Sequence, residues 1–293
     1  MTWWQSTAVA GGMLALAVAL LTAIGRDRWR RDTGALLRRL QQQRKVPQPM
    51  RFDMRELEGL SAPVQRFFRA ALSDGAPMVT AVTLIHTGSF NLGEQADRWR
   101  PFASTQQVVT RRPGFVWNAR IALLPGLGVR VHDAYIDTGG ILRAALLGLF
   151  TLIDLRGGEE LAQGELMRWL AEAPWYPSAL LPSQGVGWQA VDDVSARATL
   201  SDGPRSVSLT FIFGDDGLIK TVRADARARA VAGRMVPTPW EGRWSDYRLH
   251  DGMQVPTRGE VVWLLPQREK AYWRGTVVSA RYEFAAGAQD VDT

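Results

Sequence analysis

Apolar and polar positions follow three different rhythms along this chain. From Thr7 to Gly25 (TAVAGGMLALAVALLTAIG) there is no charge over 19 residues, and no polar face interrupts the run. As a helix it would be roughly 28 Å long at about 1.5 Å per residue, close to the hydrocarbon thickness of a bilayer. Trp3 and Trp4 precede it and Trp29 follows it, where indole rings favour the headgroup zone. Ala23-Ile24-Gly25 resembles a small-x-small cleavage site, but residues 2–6 carry no Lys or Arg and a basic segment follows, so an uncleaved anchor is the favoured reading over a signal peptide. Thr33–Val46 then places Leu36, Leu37 and Leu40 on one side of a helix among basic residues, as a segment lying on anionic lipid or as a charged stalk. Pro47 and Pro49 end it and begin a linker.

The second rhythm is helical. Leu57, Leu60, Val64, Phe67, Phe68 and Leu72 recur at three- and four-residue spacing and predict a helix over Arg55–Leu72, with Pro63 suiting a restart inside it. A second such helix is expected from Gly158 to Ala173, carrying Leu161, Leu166, Trp169 and Leu170 on one face and stopped by Pro174.

The third rhythm is β. Thr80–Phe90, Trp99–Thr110, Phe115–Leu124 and Val129–Asp137 read as strands in the first half. Gly187–Val191, Arg197–Ser201, Val207–Phe213, Leu218–Ala224, Trp240–Tyr247, Val255–Leu264 and Trp273–Phe284 read as strands in the second. Turn chemistry separates them, as at Pro125-Gly126-Leu127-Gly128, Ser201-Asp202-Gly203 and His250-Asp251-Gly252, and connections this short predict antiparallel pairing. Ile141–Ile153 is too short to cross a bilayer and reads as a buried strand or helix over the sheet.

Charge changes the picture less than its total suggests. The net charge is +6, but residues 26–51 hold nine basic side chains against Asp27 and Asp32, leaving 26 basic and 27 acidic residues in the body. A nucleic-acid-binding domain would carry its basic excess on the folded surface, so no nucleic acid partner is expected. With no cysteine and only His86, His132 and His250, neither disulfides, thiolate metal sites nor a multi-histidine centre can be built, and no cofactor or metal is called for. The serine-hydrolase elbow, the zincin helix, the phosphate-binding loop and the dinucleotide fingerprint are all missing from the sequence.

Candidate chemistry is sparse. His132 and Asp133 are strand neighbours, so they face opposite sides of the sheet and do not act on each other. Asp133 shares a face with Val129, Val131 and Tyr135, where a carboxylate needs an internal arginine or a ligand. The body holds nine tryptophans, and its basic residues are almost all arginine, with lysine only at Lys220 and Lys270. Trp117, Trp240 and Trp244 alternate with small or polar residues, which gives each strand an aromatic face that either packs on the helices or lines an apolar cavity.

Several segments resemble a bacterial, membrane-anchored family of unknown function: WRPFASTQ at 99–106, RPGFVWNAR at 112–120, VHDAYI at 131–136, APWYPSALLPS at 173–183, PTPWE at 237–241 and YWRG at 272–275. The resemblance covers roughly residues 55–284 and implies no activity. GDDGLI at 214–219 and YRLHDGMQVPTR at 247–258 are similar to the outer-membrane lipoprotein carrier type of fold. That likeness implies a half-closed antiparallel sheet with a helical lid that holds acyl chains.

Together these readings predict an anchor at 1–25, a basic stalk and Pro linker at 26–51, one α+β domain at 52–285 and a disordered tail at 286–293. The domain is expected to be a large curved antiparallel sheet, half-barrel-like, with a few helices on one face. Its expected role is non-enzymatic binding of an apolar or acyl ligand at the membrane surface, with membrane lipid as partner. Trp117, Tyr135, Trp175, Tyr176, Trp240 and Trp244 would form the wall, and Arg120 and Asp133 the polar fixers. A scaffold with a solid core and a hydrolase using Asp133 or Glu241 are the alternatives. Positive charge C-terminal to the span predicts a cytoplasmic body, whereas the carrier likeness implies an exported one.

Overall fold

The computed structural model describes residues 3–231 and 234–285; the tail 286–293 lies outside the described residues. Thirteen strands form one curved, unclosed sheet in which neighbouring strands are antiparallel. A first meander comprises β1 (Val79–Asn91), β2 (Trp99–Val109), β3 (Gly114–Leu124), β4 (Leu127–Ile136), β5 (Gly139–Leu146) and β6 (Phe150–Arg156). The second comprises β7 (Val186–Ala190), β8 (Ser195–Asp202), β9 (Arg205–Phe213), β10 (Ile219–Val231), β11 (Arg234–His250), β12 (Met253–Leu265) and β13 (Arg268–Phe284). The meanders join where β1 pairs with β13 at the middle of the sheet, leaving β6 and β7 as its two edges.

Local chemistry sets the hairpins and the bend. The β11–β12 turn holds Asp251 at φ 48° and Gly252 at φ 78°, the two positive values that a tight two-residue hairpin needs. Register shifts at Ile85/His86, Ala224/Arg227 and Val261/Val262 interrupt the ladders and increase the local twist, which curves the sheet.

Two sequence expectations resolve differently. Arg55–Leu72 is broken into a 3-10 turn at Met54–Leu57 and helix α2 at Ala62–Ala71, because Glu58 is extended and Gly59 takes φ 83°. Ile141–Ile153 falls mostly into the β5–β6 hairpin rather than one buried element, and β6 is exposed along its whole length.

Helix α3 (Glu159–Ala171) and the 3-10 turns that follow it carry the chain from edge β6 to edge β7, so they cross the concave side of the sheet. Leu166, Trp169 and Leu170 are buried there against the sheet, and Trp169 Nε1 donates to the Val109 carbonyl at 3.1 Å. Phe67 and Phe68 of α2 fill the same core beside Phe213 and Trp188.

The N-terminal helix corrects the expectation of helices on one face only. Helix α1 runs unbroken from Trp3 to Gln43, and its basic half lies on the opposite, outer face. Trp29, Leu36 and Leu40 recur at helical spacing and are buried there, with Leu36 and Leu40 against Val109, Val116, Ala134, Ile136 and Ile141. Trp29 stacks on His132 with ring centroids 3.9 Å apart and donates to Asn118 Oδ1 at 2.9 Å. Asp32 pairs with Arg143 at 2.6 Å. The segment expected as a free stalk is therefore docked, because its apolar stripe meets an apolar outer patch on β1 to β5. Among the described residues, no helix is long and apolar enough to cross a membrane.

Candidate functional site

Between α3 and the concave face lies a cavity of about 270 Å³. Cross-strand pairing assembles its walls. Trp117 on β3 stands opposite Asp133 on β4, Trp240 on β11 opposite Trp263 on β12, and Phe90 on β1 opposite Trp273 on β13. Residues directly opposite on one face lie close enough to form a continuous surface. Trp244 also lines the space and crosses Trp175 edge-on with centroids 4.7 Å apart. It lies flat because its cross-strand partner is Gly259, where an added Cβ would come within 2.7 Å of the indole. Six tryptophans thus line this space.

The polar end is built by α3. Arg168 Nη1 donates to Asp133 Oδ2 at 2.6 Å and its Nε to Glu172 Oε1 at 2.8 Å, while the guanidinium lies over the Trp117 ring, 5.3 Å from its centroid. Burial works against that charge, but Glu172, Asp133 and Glu165 outweigh it and hold the guanidinium protonated more tightly than usual. Glu165 lies 3.8 Å from Arg227 and is pushed well above the ordinary carboxylate range by burial first, then by the charge of Asp133. Arg168 and Arg227 thus face three carboxyl groups, Asp133, Glu165 and Glu172. Trp240 Nε1 donates to the Tyr272 hydroxyl at 2.9 Å.

Trp117 Nε1 and Trp244 Nε1 are buried without a hydrogen-bond partner, while the Asp133 and Glu165 carboxyl groups turn toward each other. Unpaired buried donors of this kind are costly. The arrangement suits a molecule with an apolar body and a head that both donates and accepts.

Of the residues singled out from sequence, Trp117, Asp133, Trp175, Trp240 and Trp244 meet at this cavity. Tyr135 and Tyr176 do not: their hydroxyls donate to Asp202 Oδ2 at 2.9 Å and to the Trp169 carbonyl at 2.6 Å, inside the packed core. Arg120 stands three residues from Trp117, so the two-residue period of a strand sends it to the outer face, where it is exposed. Glu241, next to Trp240, is turned away in the same manner and pairs with Arg243 at 2.9 Å. Asp133 and Glu241 are thus on opposite faces and do not share a site. His132 is held by Trp29 and Thr33 on the outer side, the Thr33 hydroxyl lying 2.7 Å from its Nε2. His86 is buried beside Trp175, and burial, then Arg168, pulls it down to about 3. Among the described residues, no group of three or more His, Asp or Glu side chains is placed to hold a metal ion.

Sequence reasoning missed Glu165, Arg168 and Glu172. Their signal was present: with Leu161 they fall at four-, three- and four-residue spacing, one line along α3. Arg227 carried no such signal.

No curated protein matches the chain. Among solved structures, it is similar to a LolA superfamily protein from Nitrosomonas europaea, with 10% identity over 70% of this chain and 86% of that one, at a TM-score of 0.36. It is also similar to a beta-barrel-like protein of a domain of unknown function, DUF1849, from Brucella abortus, with 10% identity over 70% of this chain and 99% of that one, at a TM-score of 0.21. At these scores neither likeness bears on ligand or mechanism. Residues 58–282, most of the chain, match a single family model, and the chain belongs to that family of unknown function, DUF6920.

Proposed function

We propose that this protein binds an amphipathic molecule, apolar in body and neutral in head, in the tryptophan-walled cavity beneath α3. The observation that carries the reading is the cavity itself, lined by six tryptophans and closed at one end by the Asp133–Arg168–Glu172 cluster. The volume lies near the lower end of the roughly 300–1,000 Å³ of small-molecule sites, so the occupant is a single chain or small ring system. A neutral head suits the site because Arg168 and Arg227 already face Asp133 and Glu172. A hydroxyl or amide both donates and accepts, as a cluster of carboxyl and guanidinium groups requires. An ionised carboxylate would be set beside Asp133 with no free cation.

In this reading Thr7–Gly25 anchors the chain in a membrane, which places the cavity near lipid. The side chains of residues 3–11, 14, 15 and 17 lie outside the described residues, so the support for the anchor is the uncharged run and its basic flank. The basic flank assigns the body to the cytoplasmic side.

The test uses the full chain in phosphatidylcholine discs, titrated at pH 8 with dodecanol or with dodecanoate while tryptophan emission is followed. Dodecanol should give a saturable change, and dodecanoate should bind about tenfold more weakly, a difference of about 1.4 kcal/mol. No saturable change with either compound would make the domain a scaffold with a solid core.

A further inference from the structure

A second site lies on the outer face, where α1 passes the tips of two hairpins. Arg120 on β3 and Arg130 on β4 are direct cross-strand partners. Like charges in that position repel each other and weaken the pair. Arg26 of α1 joins them around a cleft of about 550 Å³, whose remaining wall includes Val18, Ala23, Pro125, Leu127 and Leu147. Among the described residues no carboxylate pairs with these three arginines, and the nearby acids on α1 are engaged elsewhere, Asp27 with Arg31 at 2.9 Å and Asp32 with Arg143 at 2.6 Å. Burial, together with the charges of Arg120, Arg26 and Arg30, pulls Arg130 below the ordinary arginine value. Three cations converge without an anion.

The cleft sits where α1 changes character. A side chain at Gly25 would collide with the Leu147 carbonyl, and a Cβ at Gly148 would come within 2.7 Å of the Gly25 carbonyl, so helix and turn touch backbone to backbone. This contact fixes the β5–β6 turn at the junction between the uncharged half of α1 and its basic half. Val18, Leu20, Leu21 and Ile24 are exposed on one side of the junction, and Leu124 is exposed at the tip of the β3–β4 hairpin. Val18 stands about 12 Å above Arg26 at about 1.5 Å per residue, the depth of a headgroup layer and the first part of the acyl region.

We infer that this cleft binds the phosphodiester headgroup of an anionic membrane phospholipid, held between Arg26, Arg120 and Arg130 while its acyl chains lie along the uncharged half of α1 and the Leu124–Leu127 turn. The inference rests on the anchor reading above. Arginine is suited to the role because its planar fork meets phosphate oxygens two at a time. A lipid rather than a free anion is indicated by the apolar half of the cleft wall.

The experiment reconstitutes the full chain in discs of phosphatidylcholine with and without phosphatidylglycerol, and measures the retained lipid by native mass spectrometry. Phosphatidylglycerol should be enriched about tenfold over its share of the disc, charge-assisted hydrogen bonds being the source of the preference. In R120Q/R130Q the retained lipid should follow the disc composition. In phosphatidylcholine alone this variant should unfold at or above the wild-type temperature, since the repulsion is gone; a lower unfolding temperature would mean a structural role and overturn the inference. Retained lipid that mirrors the disc in the wild type would overturn it as well. So would an equal stabilisation by millimolar inorganic phosphate in detergent, which would make the cleft a free-anion site. An alkaline carbonate wash tests the anchor separately. Wild type washed from membranes yet selective for phosphatidylglycerol would remove the anchor and leave the site, whereas retention without selectivity would remove the site alone.

Discussion

Glu165 occupies a buried position on α3 with its carboxyl turned to Asp133 and Arg227. Burial raises its pKa well above the ordinary 4.5, so the folded protein keeps the proton after the unfolded chain has lost it. Below the unfolded pKa the group costs nothing. Above it, stability falls as pH rises, by up to about 1.4 kcal/mol per unit, until the folded pKa is reached. Glu165→Gln keeps the shape and removes the titration. Its unfolding temperature relative to wild type should be constant near pH 4 and rise as the pH passes above 4.5; a difference that stays flat there would mean the carboxyl is ionised in the fold. The residue was hard to read from sequence because a charge on a helix is ordinarily a solvated one. Asp133 was readable, since its neighbours on the strand face are apolar and its arginine partner was one of two expected outcomes. Arg120 was placed on the wrong face by attending to its chemistry before its parity with Trp117.

At the scale of elements, strands and turns were legible because alternation and turn residues are local, and most observed strands match the expected runs to within a few residues; the exceptions are β5 and β6, expected as one element, β13, which begins five residues early, and β10 and β11, which run longer. β10 extends through a stretch from 223 to 230 in which every second residue is alanine, a pattern with little hydrophobic contrast. The docking of α1 was not legible, because its stripe of Trp29, Leu36 and Leu40 is interleaved with arginines, and an outer sheet face that accepts it is set by non-local pairing. The structure makes that stripe a stabilising contact. Leu40 is fully buried, so Leu40→Ala should cost about 2–5 kcal/mol. Chemical denaturation of the full chain measures it, and a loss below about 0.5 kcal/mol, as at ordinary surface positions, would mean that α1 is detached in solution. Removing residues 1–49 uncovers Val109, Val116, Ala134, Ile136 and Ile141 together, and such a truncated chain should self-associate in light scattering where a chain that keeps residues 26–49 does not.

The whole molecule is organised around its seam. β1 and β13 pair over most of their lengths at the middle of the sheet, and Arg44 ties the end of α1 to Glu283 of β13 at 2.6 Å, so the two meanders and the outer helix converge there. The edges are different. β6 has one strand neighbour, every residue of it is exposed, and Phe150 and Leu152 are more than half accessible. Leu155 of this strand, Leu142 of β5 and Leu161 of α3 also line the cavity, so the thinnest part of the cavity wall is the edge strand itself. Local opening follows low burial and solvent-exposed hydrogen bonds, which makes β6 the element to yield first and the seam the last. Amide hydrogen exchange on the full chain should therefore be fastest at 150–156 and slowest in the paired part of β1 and β13. A ligand in the cavity adds contacts to Leu155 and Leu142 at the edge, and to Phe90 and Trp273 at one end of the seam. Saturating dodecanol should slow exchange across 141–156 severalfold. Unchanged exchange across 141–156 would show that the ligand does not enter at this edge, and access would then have to pass between α3 and the β10–β11 ribbon, where Ala228, Ala230 and Met235 complete the wall.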